Sequence, residues 1–575
     1  MDISFDSNRL PSSTLALKTV ESAIRHYLTQ LYGLPSLVNP LELSWSAPRS
    51  LCLVLKDYPL AFQEAAALEI ICRGVQAIEF RVDCFNVSTI NGTTPISEPA
   101  FDHGHPDLFS VFSALAFLRQ HSGLPVLFTL RTAAQGGRFQ GSTSDYIRLI
   151  EAAFRLSCDF VDIELLLPKD QIAQLMGRKG RSKVVLSHTW LEADPIIAWH
   201  GPEIQAIYEE AKRLGADAVK LIKPARSIKD NIESISLQST LAANNDTPLI
   251  ALNSGLVGRL SRQLNPFLSP VTHPNIPTDR IKQFLTAPQM NDGLRLSGLL
   301  VPKKIYYQNN GKDEASARKL QAGFEELHLP FSIQDAGQAD LTTLIKDSDF
   351  GGSLTDIQSR SDRPFHCAPS ARAIGFIDLV SVEDSDASSY LHVPDVSRSE
   401  RRYHLQNLRS KAITNSLTAH LSPVNAIVSA TSAIVDGASQ QSHRAVFYSL
   451  ADLGIDLIYA INCSDDFLDF AQSLAPKFKF QILVGKSLDN LPAHHSHRAP
   501  SIVIFCSEQK PLPSSLLDAP TGGTMLVMDG RVGQSTDNGW IQVGQAAIER
   551  ELTSLRFATL TGGKRIPQNI LDVEL

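Results

Sequence analysis

DAVKLIKPARS, residues 217–227, is the stretch whose reading decides the fold. Ala218, Val219, Leu221 and Ile222 surround Lys220, and Lys223 follows before Pro224 interrupts the run. A short apolar run of this kind reads as a strand. Similar runs flank it. Upstream are AIEFRVDCF (77–85), PVLFTLRTAAQGGRF (125–139), DFVDIELLLP (159–168) and KVVLSHTW (183–190). Downstream are PLIALNSGLVGRLSRQLN (248–265) and LSPVTHP (268–274). Strands are predicted to start near Leu51, Ala77, Pro125, Phe160, Lys183, Ala218, Pro248 and Leu268. Eight such runs separated by amphipathic segments are what a (β/α)8 barrel requires, and there functional side chains project from the C-terminal strand ends.

The chain has 575 residues, too many for one hydrophobic core, so two or more domains are expected. With 53 basic and 60 acidic residues the net charge is −7, a poor electrostatic footprint for a nucleic-acid binder. The seven cysteines (Cys52, Cys72, Cys84, Cys158, Cys367, Cys463, Cys506) are scattered without a C-x-x-C pair, which argues against a zinc site or a disulfide framework. No signal-peptide core or long uncharged apolar stretch is visible, so the expectation is a soluble protein of a reducing compartment, cytoplasmic and/or nuclear. Leu17, Val20, Ile24, Leu28 and Leu31 recur at helical spacing between Ser12 and Gly33, predicting an amphipathic helix. After Gly298 the pattern changes. Lys303–Gln308 and Pro330–Gln334 read as strands around a helix holding Leu320, Phe324 and Leu327. The polar stretch 383–403 reads as a mobile loop, and residues 426–462 read as strand, turn, helix, strand: one βαβ unit.

The runs quoted above resemble the type I 3-dehydroquinate dehydratase domain of the fungal pentafunctional AROM polypeptide. From about Lys303 the chain resembles the shikimate dehydrogenase domain that follows it there. The resemblance implies an α/β protein. Residues 1–47 would be a helix and linker matching the tail of a shikimate kinase domain, with no phosphate loop before it. Residues 48–297 would be a dehydratase-like (β/α)8 barrel, and 298–575 a two-lobed dehydrogenase-like unit with a Rossmann-like lobe at about 420–540.

Type I dehydratases form an imine between a lysine and the C3 ketone of 3-dehydroquinate, and a histidine moves the protons. The resemblance places Lys220 at the Schiff-base position. It assigns substrate binding to Glu79, Arg81, Arg131 and Arg262, and puts Gln135 in the loop after the third strand. Glu79 and Arg81 are two apart on one strand and so share a face. Arginine suits the gripping of carboxylates and hydroxyls because its donors form a fork. The catalytic half is altered. Thr189 stands where the histidine should be, and a threonine hydroxyl cannot shuttle protons near neutral pH. His188 cannot replace it, since adjacent strand residues face opposite ways. The family's lid should fall at Arg280–Thr286, where only Gln283 is a possible remnant. Lys220 could alternatively be a salt-bridge partner of Glu79 and nothing more.

In the second half every motif implied by the resemblance is changed. Lys312 and Glu314 occupy the substrate-binding Ser-x-Ser positions, and GGSLTDIQSR (351–360) lacks the expected lysine. Asp378 replaces an asparagine, and Leu552 replaces a glutamine. GASQQSHRA (437–445) replaces a glycine-rich turn, so Ser439, Gln440 and Gln441 should obstruct a pyrophosphate. Asn462-Cys463-Ser464 lacks the arginine that meets an NADP phosphate. No cofactor is therefore expected. His494, His495 and His497 could chelate a metal, but a solvated loop is the simpler reading, and the basic cluster Arg178, Lys179, Arg181 and Lys183 reads as a solvated face.

The expectation is a regulatory pseudoenzyme of the kind found among AROM-derived repressors of quinate catabolism genes. It would sense a quinate-, dehydroquinate- or dehydroshikimate-like molecule and contact a transcription activator protein. No direct nucleic-acid or membrane contact is expected. The rival readings are a dehydratase with residual activity through Lys220, and a decayed scaffold.

Overall fold

A computed structural model of the chain describes residues 41–45, 49–56, 59–62, 64–85, 108–244, 246–276, 284–308, 313–359, 364–383, 401–421, 431–489, 491, 500–507, 509–513, 516, 523–528 and 540–572. The amphipathic segment 12–33, Lys312, Gln283, most of the polar stretch 383–403 and the three clustered histidines lie outside these residues.

Eight parallel strands run in chain order around the first half: β1 (Leu51–Leu55), β2 (Ala77–Arg81), β3 (Val126–Thr129), β4 (Phe160–Glu164), β5 (Lys183–Thr189), β6 (Ala218–Pro224), β7 (Leu249–Ser254) and β8 (Ser269–Thr272). They pair as β7-β6-β5-β4-β3-β2-β1-β8, with the short β9 (Leu285–Thr286) beside β8. β1, β3 and β4 are buried throughout, as expected of strands covered on both faces. The outer helices follow from local signals. Thr143–Arg155 begins with a capping box from Ser142 and Asp145 and buries Leu149, Ile150, Ala153 and Phe154. Pro202 opens the helix Pro202–Arg213.

Among the described residues no ladder joins β7 to β8, so the pairing is open at one seam where the sequence predicts closure. The other edge of β8 is taken by β9, with Val271 opposite Leu285 and Thr272 opposite Thr286. Ser269 N donates to Ser50 O on the β1 side, and the next residue, Pro270, has no N–H to offer the other edge. The sheet still curls round, because Leu252 and Ser254 of β7 and Pro270 of β8 line one cavity together with Glu79 and Lys220.

The second half holds two six-stranded sheets. The first has the order β11-β10-β12-β14-β15-β13, built from β10 (Lys303–Tyr307), β11 (Phe331–Asp335), β12 (Phe350–Gln358), β13 (Phe365–Cys367), β14 (Phe376–Glu383) and β15 (Arg402–Gln406). β14 runs antiparallel to both its neighbours. The stretch read as a mobile loop therefore ends in strands at both sides. The second sheet is wholly parallel, with the order β18-β17-β16-β19-β20-β21: β16 (Ser432–Asp436), β17 (Leu457–Ile461), β18 (Gln481–Gly485), β19 (Ile502–Phe505), β20 (Gly523–Val527) and β21 (Trp540–Val543). One continuous core containing Ile305, Phe324, Val446 and Phe557 underlies both sheets. No described helix is long and apolar enough to cross a membrane.

The halves meet at the N-terminal rim of the barrel. Gln76 accepts from Leu51 N at 2.8 Å and donates to Gly562 O at 3.2 Å, Gly74 N donates to Arg565 O, and Asn291 Nδ2 donates to Leu327 O at 2.7 Å. Arg73 pairs with Glu326 at 2.8 Å. Gly74 has φ +71°, and a Cβ there would lie 2.7 Å from Leu327 Cδ2. Gly298 has the same φ, but nothing lies within 4 Å of its Cβ position. Gly298→Ala should cost about 1–2 kcal/mol through backbone strain alone. Gly74→Ala should cost measurably more in chemical denaturation of the full chain; equal costs would show that the junction at Leu327 contributes no packing.

Candidate functional site

Register carries the charged side chains into one layer. Glu164 of β4 pairs with Ser187 of β5, and Ser187 with Lys220 of β6. Lys220 is third of seven residues in β6, so it projects from inside the barrel and not from the strand tip. Its Nζ lies 3.1 Å from Glu79 Oε1 and 3.7 Å from Asp162 Oδ2. Arg131, just beyond β3, donates to Asp162 Oδ2 at 2.7 Å and Ser187 Oγ at 2.8 Å, and meets Glu164 Oε1 at 3.4 Å. Glu164 also accepts from Thr132 N and Oγ1. All five charged groups are buried. Burial pushes the Glu79 carboxyl up, but Lys220, Arg81 and Arg131 outweigh it and hold the group down at about 2. Glu164 goes the other way: burial raises it more than Arg131 and Thr132 lower it.

Above this layer opens a cavity of about 260 Å³. Arg81 lines it, gripped by Asp83 through two 2.8 Å bonds, Nε to Oδ1 and Nη2 to Oδ2. Asp83 also accepts Arg138 N at 3.0 Å. Arg262 lines it too. Its Nε donates to Asn253 O at 3.0 Å and its guanidinium lies 4.5 Å over the Phe284 ring, while burial lowers its pKa to about 10. Lys56, directly after β1, completes the basic wall.

The structure thus brings Lys220, Glu79, Arg81, Arg131, Arg262 and Thr189 to one cavity. Arg131 lines the cavity and at the same time donates through Nη1 and Nη2 to Ser187 and Asp162 in the layer below. Thr189 lines the cavity, whereas His188 turns away and packs edge-on against Trp190 with ring centroids 4.3 Å apart. Gln135 holds the backbone of Thr189 at both ends, accepting from its N–H at 2.5 Å and donating to its carbonyl at 3.0 Å. The loop that delivers Gln135 is tight: a Cβ on Gly137 would fall 2.0 Å from Arg131 O. Sequence reasoning passed over Asp83, Asp162, Glu164, Ser187, Phe284 and Lys56. The alternation of carboxylates at 162 and 164 within DFVDIELLLP was an available signal for two of them.

In the second half the altered positions carry structural contacts. Asp378 accepts Leu408 N at 2.8 Å and Arg409 N at 2.7 Å, capping the helix Leu408–His420. Arg556 donates to Asp313 at 2.9 Å, and Arg409 to Glu549 at 2.8 Å. Gly351 and Gly352 sit within β12, where a Cβ on Gly352 would meet Val380 O at 2.7 Å. At the turn after β16, buried His443 accepts through Nδ1 from Ser439 N and Gln440 N at 3.1 and 3.2 Å. Those N–H groups are thereby used within the turn. Asp436, at the end of β16, takes Lys510 at 2.7 Å and Asn462 at 2.6 Å. Leu552 is buried. Of the basic cluster near β5, Arg178 pairs with Glu151, and Lys179 and Lys183 with Asp217. Among the described residues no group of three or more His, Cys, Asp or Glu is arranged to hold a metal ion.

Residues 51–301 match the family Type I 3-dehydroquinase. The dehydroquinate dehydratase and shikimate dehydrogenase portion of S. pombe AroM superposes with a TM-score of 0.71 at 25% identity, covering 92% of this chain and 98% of that one. A Clostridium difficile type I 3-dehydroquinate dehydratase with covalently modified comenic acid covers 46% of this chain and 98% of its own at 20% identity and TM-score 0.37. Shikimate 5-dehydrogenase of Thermus thermophilus in complex with shikimate covers 47% and 97% at 15% identity and TM-score 0.32. The chain is thus a type I dehydroquinase-like barrel followed by a shikimate dehydrogenase-like unit.

The low pKa of Glu79 makes stability pH-dependent with a definite sign. A carboxyl depressed on folding stabilises fully above its unfolded value, about 4.3, and that contribution is lost as pH falls toward about 2. Glu79→Gln is therefore expected to cost clearly more stability at pH 6 than at pH 3 in chemical denaturation. Equal costs would mean that the ionised carboxylate is not favoured by its cationic neighbours.

Proposed function

We propose that the chain is a regulatory pseudoenzyme. It binds a carboxylate-bearing metabolite of the quinate or shikimate pathway in the barrel cavity and acts by contact with a transcription activator protein, in the manner of the fungal quinate repressors. The observation that carries this reading is the pairing of a basic cavity with Thr189. Lys56, Arg81, Lys220 and Arg262 favour an anionic ligand, yet the cavity has a hydroxyl at 189 where the proton shuttle belongs. General acid–base help is worth about 10²–10⁴-fold, so its removal turns catalysis into binding. The contacts of Asp378, Arg556 and His443 support the same reading for the second half, since they spend on the fold the groups that a substrate and a pyrophosphate would need.

A dehydratase is the second reading, favoured by the Lys220–Glu79 pair in the barrel and by the family match over 51–301. Titration calorimetry with 3-dehydroquinate and with quinate, run beside an absorbance assay for the conjugated dehydration product, separates the two. Binding with no product is the expected result. Product formation that Lys220→Met abolishes and Thr189→His accelerates would establish the dehydratase instead.

A further inference from the structure

Large apolar side chains left in water are unevenly placed on this chain. Four of the eleven among the described residues lie together: Ile228 and Ile232, 61% and 56% exposed, and Leu256 and Val257, 62% and 48% exposed. Ile228 and Ile232 stand one turn apart on the helix Ile228–Ala243 that follows β6, and so share a face. Leu256 and Val257 belong to the turn after β7. Buried Asn231 joins the two elements: its Nδ2 donates to Val257 O at 2.9 Å, and its Oδ1 accepts from Ser261 N at 3.1 Å. The patch is thus a fixed surface, with the turn pinned beside the helix. Its rim is basic, for Arg226, Lys229 and Arg259 are all exposed there. The neighbouring carboxylates are used within the protein, Asp230 by Lys223 at 2.7 Å and Glu233 by Lys229 at 3.5 Å. The same two loops begin in the cavity. Pro224 and Ser254, the last residues of β6 and β7, line it, and Ala225 N donates to Ser254 O at 3.2 Å.

We propose that this patch is the docking surface for an acidic amphipathic segment of a partner protein. The segment's apolar face covers Ile228, Ile232, Leu256 and Val257, and its carboxylates meet Arg226, Lys229 and Arg259. Covering apolar surface is favourable by about 25 cal/mol per Å², and a contiguous exposed patch with a polar rim marks a contact site. The sign of the rim selects the partner. A basic segment would set like charges against Arg226 and Lys229, and a second copy of this chain would bring the same basic rim against itself. The inference rests on the protein-contact part of the regulatory reading and deepens it. Ligand and partner occupy opposite ends of the same two loops, so the contact stands where occupancy of the cavity can reach it.

The test uses the full chain and two fluorescein-labelled peptides read by anisotropy. One has leucines at helical spacing with aspartates between them, and the other has lysine in place of aspartate. The acidic peptide is expected to bind at least ~10-fold tighter than the basic one, and to weaken as salt is raised. Ile232→Asp and Leu256→Asp, at side chains already in water, should each weaken it at least ~10-fold, and Arg226→Glu should weaken it as well. Leu296→Asp, 79% exposed at the end of the helix Ala287–Leu296, should leave it unchanged. Circular dichroism checks that each variant is folded. Equal affinity for both peptides, no binding, or binding that the patch substitutions leave intact would each overturn the proposal. So would a dimer in sedimentation that Ile232→Asp dissolves, since a second copy would then be the occupant. Metabolite binding is read separately by the calorimetry above, so failure of the patch and failure of the cavity are told apart.

Discussion

A barrel interior cannot take in Arg131 and Lys220 unless carboxylates meet them there. Removing one such ion from water costs several kcal/mol, and only close opposite charge with good hydrogen bonds offsets it. Here the offset comes from Glu79 of β2 and from Asp162 and Glu164 of β4, with Ser187 of β5 filling the remaining geometry. The cluster therefore ties together five neighbouring strands from β2 to β6. The cavity opens above this layer, and Lys56, Arg81, Arg262 and Thr189 line it together with Glu79, Arg131 and Lys220.

Strand positions were legible because buried parallel strands are written as short apolar runs, and the eight predicted starts fall within one residue of those observed. The seam at β8 was less so, since the other edge of β8 pairs with the two-residue β9, too short to show as an apolar run. The candidate residues were legible through resemblance, and so was the pairing of Lys220 with Glu79, but the other partners were not. That contact spans 141 positions, so nothing local to either residue announces it. Arg131 shows the consequence. As a residue type it reads as an anion grip, and only its surroundings reveal that Nη1 and Nη2 already meet Ser187 and Asp162.

In the dehydrogenase-like half, the substitutions share a common physical character. Asp378 caps a helix, His443 closes the turn after β16, and Lys510 neutralises Asp436. Each satisfies a backbone group or a charge from within the protein. Removing any one of these side chains would leave its partner unmatched.

Gln76 lies far from the cavity, at the opposite rim, yet its side chain joins the start of β1 to the carbonyl of Gly562 near the chain's end. Asn291 does the same for Leu327. Each half thus completes hydrogen bonds that the other cannot supply for itself. Splitting the gene between them would give two products with uncovered polar backbone and a bared apolar seam. The two halves are therefore held together by folding as well as by the covalent chain.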